Sequence, residues 1–115
     1  MNNKQIKVIN DFHSKPYGRF KTDAPGCEFT AGEVFRDEHL SPALKEFDNV
    51  TVDLTGYNRY GRSFLDEAFG GLIRECGFTK SVLDKKLVYV HDDLASVIAI
   101  IDERIEKAEQ DRLTR

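Results

Sequence analysis

Between residues 56 and 63 the chain reads Gly-Tyr-Asn-Arg-Tyr-Gly-Arg-Ser, which gathers Tyr57, Arg59, Tyr60 and Arg62 just ahead of the hydroxyl of Ser63. Tyrosine and arginine offer large contact areas with polar ends and are enriched at interface hot spots, so the first chemistry of this grouping is contact with a protein partner. The second is anion binding. Ser63 stands three positions before Asp66, the spacing of a helix N-cap, and the free N–H groups of a helix start attract phosphate or carboxylate. A phosphate on Ser63 itself would lie at the positive end of that helix, near Arg59 and Arg62 in the sequence. Alternating Arg and Tyr also suit stacking on single-stranded RNA, but one short loop in a chain of net charge −3 makes nucleic acid an unfavoured partner.

Other chemically capable residues are more scattered. Arg19, Glu33 and Arg36 form a second candidate surface, with salt bridging as their ordinary role. Asp66 and Glu67 are adjacent, yet neighbours on a helix point about 100° apart, so capping and solvation account for them better than a catalytic dyad does. His13, His39 and His91 show no HxxxH or HExxH spacing, and Cys27 and Cys76 no CxxC, so no metal site is expected. Cys76 falls on an apolar stripe and is expected to be inert. No nucleophile, base and oxyanion site assemble in the sequence, which therefore reads as non-catalytic and without a cofactor.

The elements that position these residues follow from the hydrophobic period. The 115 residues are 40% apolar and 10% aromatic, with 17 basic against 20 acidic side chains and a pI near 5.6, enough for one small domain with its own core. No apolar run approaches the length of a membrane span and no secretory leader opens the chain, so a cytoplasmic protein is expected. Strands are expected at Gln5–Ile9, at Val50–Leu54 and at Leu87–Val90, with shorter extended pieces around residues 18–22 and 27–29. Thr30 and Glu33 have capping-box spacing for a helix ending near Leu40, and Ser41-Pro42 is expected to start another. The best helix follows Ser63. Phe64, Leu65, Ala68, Phe69, Leu72, Ile73 and Cys76 make its stripe, Gly70-Gly71 predicts close backbone approach, and Gly77 stops it. Ser81 is read as capping a further turn, and His91-Asp92-Asp93 as capping a last helix that frays from Glu109 through residue 115. Strand-helix-strand order after Asp48 implies parallel pairing through right-handed crossovers and so an α/β fold, expected as a small mixed β-sheet with helices packed against it, in which residues 1–30 supply N-terminal strands and a loop.

The blocks Tyr17-Gly18-Arg19-Phe20, Gly32-Glu33-Val34-Phe35-Arg36, Leu40-Ser41-Pro42-Ala43-Leu44, Val52-Asp53-Leu54 and above all 60–71, Tyr-Gly-Arg-Ser-Phe-Leu-Asp-Glu-Ala-Phe-Gly-Gly, make the chain resemble the STAS-like domain family of unknown function. That family is related to the sulfate transporter and anti-sigma factor antagonist domain. In the antagonists, a Ser or Thr after a central strand is phosphorylated by a histidine-kinase-type ATPase that is also the binding partner. Ser63 occupies the matching place, flanked here by Arg62 and Phe64. The resemblance implies a regulatory protein–protein interaction module of bacterial signalling, with Ser63 as phospho-acceptor and Tyr57, Arg59, Tyr60, Arg62 and Asp66 in recognition. A small-ligand or nucleotide-binding domain using loop 56–63 and the helix start at Ser63 is the alternative.

Overall fold

The computed structural model describes residues 2–114. Strands β1 (Asn3–Lys7), β2 (Asn49–Asp53) and β3 (Leu87–Val90) lie side by side in that order, and both pairs are parallel. Register opposes Ile6 to Val52 and Val50 to Leu87. Because side chains alternate along a strand, these apolar residues share one face, and all four are buried. Gln5, Thr51 and Val88 line up across the other face, where Val88 is largely exposed. The parallel pairing expected after Asp48 is present between β2 and β3, and β1 is parallel as well, so the sheet expected to be mixed is entirely parallel among the described residues. β1 has the length of the expected Gln5–Ile9 but lies two residues earlier, because the backbone enters a π-helical turn at Val8–Phe12. Val8 nonetheless stays buried.

Parallel neighbours need crossovers, and the helices lie in them. The first crossover holds α1 (Cys27–Thr30) and α2 (Gly32–Phe35), then a π turn at Arg36–Leu40 that runs on into α3 (Ser41–Glu46). Residues 27–29 form a helical turn rather than a strand. Gly26, at φ 96°, turns the chain into it, and the Ala31 N–H closes it on the Cys27 carbonyl. The expected extended piece near residue 20 is a turn closed by Asp23, whose Oδ2 accepts the N–H groups of Arg19 and Phe20, each at 3.0 Å. The capping box does not form. Thr30 Oγ1 donates to the Tyr17 carbonyl at 2.8 Å and Glu33 Oε1 accepts the Lys21 N–H at 3.0 Å, so both side chains tie down the preceding loop while Ala31 stands at the N-cap. Nor does a new helix start at Ser41: Leu40 and Ser41 are both right-handed helical, and the wide π turn lies directly ahead of Pro42, which lacks an N–H.

The second crossover carries α4 (Arg62–Leu65), a π turn at Asp66–Gly70, α5 (Gly71–Cys76) and α6 (Lys80–Lys86). Gly77 ends α5 at φ 80°, as its position predicts, and the cap of α6 is Thr79, which accepts the Val82 N–H, rather than Ser81. Helix α7 (Ala95–Leu113) buries Val97, Ile101, Ile105 and Ala108. It continues past the expected fraying point at Glu109, where Arg112 and Glu109 pair at 2.8 Å. α2 and α4 meet at backbone distance, since a Cβ on Gly32 would overlap the Phe64 carbonyl oxygen.

Candidate functional site

The loop leaving β2 is held from beneath. Thr55 donates its N–H to Asp53 Oδ1 at 3.0 Å, and the Thr55 hydroxyl accepts the Asp92 N–H at 3.0 Å. The buried His91 ring accepts the N–H groups of Asp93 (3.2 Å) and Leu94 (3.1 Å) at Nδ1, which assigns its proton to Nε2 and makes that nitrogen the donor to the Tyr57 carbonyl at 2.8 Å. The helix cap expected from residues 91–93 does not form: Leu94 stands at the N-cap of α7 with no side-chain bond to the helix, and the imidazole instead ties together the turn ahead of α7 and pins the loop.

Tyr60 turns inward, against Tyr57 (ring centroids 5.0 Å), Phe64 (5.8 Å) and His91 (6.3 Å). Its hydroxyl is buried without a partner, and burial holds its ionisation well above the usual tyrosine value. Expected to be a recognition residue, Tyr60 belongs to the core. Tyr57 is half-buried, whereas Arg59, Arg62 and Ser63 are exposed. Arg62 reaches Glu103 on α7 at 2.9 Å, and Arg59 has no ion pair among the described residues. Ser63 is not the N-cap. Gly61 holds that position with extended backbone, Ser63 is the second residue of α4, and its hydroxyl makes no hydrogen bond among the described residues.

Asp66 and Glu67, expected to be solvated, are both buried. Arg19 Nη1 donates to Asp66 Oδ2 at 2.6 Å and lies 3.4 Å from Glu67 Oε1. Arg74 binds Asp66 through both terminal nitrogens, each at 3.2 Å, and reaches Glu67 at 3.4 Å. Arg36, itself buried, donates to Glu67 and to Asp37, and Arg104 Nε lies 3.8 Å from Asp66. Burial alone would raise the Asp66 carboxyl; hydrogen bonds from Arg19 and Arg74 outweigh it and hold the group below the ordinary carboxylate value. The Asp66 hydrogen bond likewise raises Arg19. Arg19 and Arg36 are thus joined, though not with Glu33, and they form an internal clamp rather than a second surface. Guanidinium groups from four arginines surround the two carboxylates and tie the segments that carry them together.

Arg74 and Arg104 escaped the sequence reading, although Gly70-Gly71 signals them. A Cβ on Gly71 would strike the Arg36 guanidinium, and one on Gly70 would lie 2.9 Å from Arg74 Nη1 and 3.2 Å from the Arg104 carbonyl. The close approach expected there is made by side-chain cations and by the backbone of α7.

Among the described residues no group of three or more His, Cys, Asp or Glu side chains is arranged to hold a metal ion, and no helix is long and apolar enough to cross a membrane. No curated protein and no solved structure matches the chain. A family model described as STAS-like domain of unknown function (DUF4325) matches residues 31–96. That stretch contains the whole of loop 55–61, Ser63, the π turn and both buried carboxylates. Since the match takes in more than half of the 115 residues, the chain belongs to the STAS-like domain family of unknown function.

Proposed function

We propose that the chain is a non-catalytic regulatory module that docks a protein partner through Tyr57, Arg59, Arg62 and Ser63, and that Ser63 accepts phosphate from a partner ATPase of the histidine-kinase type. The state of Ser63 carries this reading. The residue is exposed, its hydroxyl is engaged by no side chain or backbone group among the described residues, and Gly61 already stands at the cap. A phosphate there removes no existing bond, adds a dianion in the first turn of a helix and competes with Glu103 for Arg62. Arg59, exposed in the same loop, has no competing ion pair among the described residues. The buried Arg–carboxylate clamp one turn on gives the surface a rigid support.

The test is to incubate the protein with a histidine-kinase-type ATPase from the same genome, with and without Mg-ATP, following complex formation and intact mass together. A complex and one added phosphate, the phosphate lost in Ser63→Ala, support the switch. A complex with no added phosphate reduces the reading to docking, and no complex defeats it.

A cavity of about 380 Å³ supports a second reading, small-ligand binding. Tyr57 and Tyr17 line it, with His13 and Lys15, a setting for a small aromatic anion such as a nucleotide. Ser63 is not part of its lining. Ligand at about 100 times its dissociation constant would add about 2.7 kcal/mol to stability, read as a rise in Tm with ATP or GTP.

A further inference from the structure

Away from Ser63, two clefts that share Glu38 and His39 join along the outer side of the first crossover. One, of about 390 Å³, opens between β1 and α3 over Ile6, Ala43 and Phe47; the other, of about 440 Å³, opens between the first π turn and α1 over Phe12, Phe29 and Val34. The floor is therefore apolar. Phe29 is 66% exposed, an aromatic ring left largely to solvent. The rim is acidic: Asp11, Glu28, Glu38 and Glu46 face a single lysine, Lys4, which lies 6.0 Å from the Phe47 ring. Asp11 accepts the Lys7 N–H and Glu28 the Gly26 N–H, whereas Glu38 and Glu46 are exposed and pair with no cation among the described residues.

We propose that this groove docks a cationic segment of a protein partner, with apolar side chains on Phe12, Phe29 and Phe47 and Lys or Arg side chains against Glu38 and Glu46. An apolar floor with a one-sign rim selects for an amphipathic chain of the opposite sign, because each carboxylate repels acidic segments and nucleic acid while the floor rewards burial. A second copy of this chain, net charge −3, would bring like charge to the rim. The groove does not depend on the fate of Ser63. Phe12 lies 5.2 Å from the Phe35 ring and 6.4 Å from that of Phe64, so aromatic core separates its floor from the Ser63 surface.

The probe is a synthetic amphipathic peptide of leucine and lysine, titrated into the isotopically labelled full chain while backbone amide resonances are followed. Shifts confined to residues 11–13, 28–29, 34–47 and the end of β1 are expected. Glu38→Lys with Glu46→Lys should weaken binding at least tenfold, about 1.4 kcal/mol. Phe29→Ala should weaken it with little change in Tm, since that residue is largely exposed. Shifts centred on α7, or unchanged affinity in both variants, overturn the proposal. So does a dimer in sedimentation equilibrium that Phe29→Ala dissolves, because the groove would then serve self-association.

Discussion

Arg36 and Glu67 form an ion pair in which neither side chain is more than 6% exposed, and each sits in a π turn, one in the first crossover and one in the second. A buried pair of this kind is costly to break because the surviving partner keeps its charge in a poorly solvating interior. Arg36→Met is expected to destabilise by about 3 kcal/mol, the low end of the usual range of about 3–5, because Arg19 and Arg74 remain 3.4 Å from Glu67. Arg36→Met with Glu67→Leu should recover most of the loss. Urea denaturation of the two single variants and the double variant measures the coupling directly.

Asp66 fixes the acid response. Its carboxyl titrates lower in the folded chain than in the unfolded one, so below the unfolded value of about 3.9 the unfolded state takes up the proton first. The contribution is complete above about pH 4 and is lost as pH falls through the depressed folded value. Denaturation midpoints should therefore fall on acidification below about pH 4, and less steeply in Asp66→Asn. Asp53 is also lowered, by bonds from Thr55 that outweigh its burial, so part of the slope survives the substitution. An identical slope in Asp66→Asn would contradict the assignment.

Tyr60→Phe removes a buried hydroxyl that has no partner. The substitution should be neutral or stabilising by up to about 1 kcal/mol at pH 7, in contrast to the usual loss on deleting a buried hydrogen-bonding group. The raised ionisation of Tyr60 also means that its stabilisation is whole below the unfolded value of about 10 and declines above it. The alkaline loss of stability should shrink in the variant, with the remainder reporting Tyr89, which burial and Asp102 raise in the same way.

Ser63→Ala tests the cap directly. With Gly61 at the N-cap and the hydroxyl unbonded, the change should stay within about 0.5 kcal/mol. Loss of a working cap would cost about 1 kcal/mol. Thermal melts of the two proteins side by side decide between them.

Gly32→Ala should be more damaging than Gly71→Ala. The added methyl would meet the Phe64 carbonyl at Gly32 but the far end of the Arg36 side chain at Gly71, and backbone yields less readily than a guanidinium. About 1–3 kcal/mol is expected at Gly32, measured as a shift in the urea midpoint at constant slope.

What the sequence determined by itself is the part governed by local period and by glycine. Leu87–Val90 is a strand, Val50 and Val52 face the core, Gly77 stops its helix and Gly70-Gly71 admits a neighbour, because each outcome follows from residues a turn or a pleat apart. Ser63 is likewise legible as a hydroxyl at a strand-to-helix junction. Only the tertiary structure decided where polar side chains go. Thr30 and Glu33 leave their capping-box geometry for Tyr17 and Lys21, and Tyr60 enters the core although its neighbours Arg59 and Gly61 are exposed. Arg19 reaches Asp66 across a separation of 47 residues. A long flexible cation carries no sequence signal for its partner; Asp66 and Glu67 acquire theirs only when a loop, two helical segments and α7 close around the same π turn, where burial makes an unpaired carboxylate costly and selects the arrangement that pairs it.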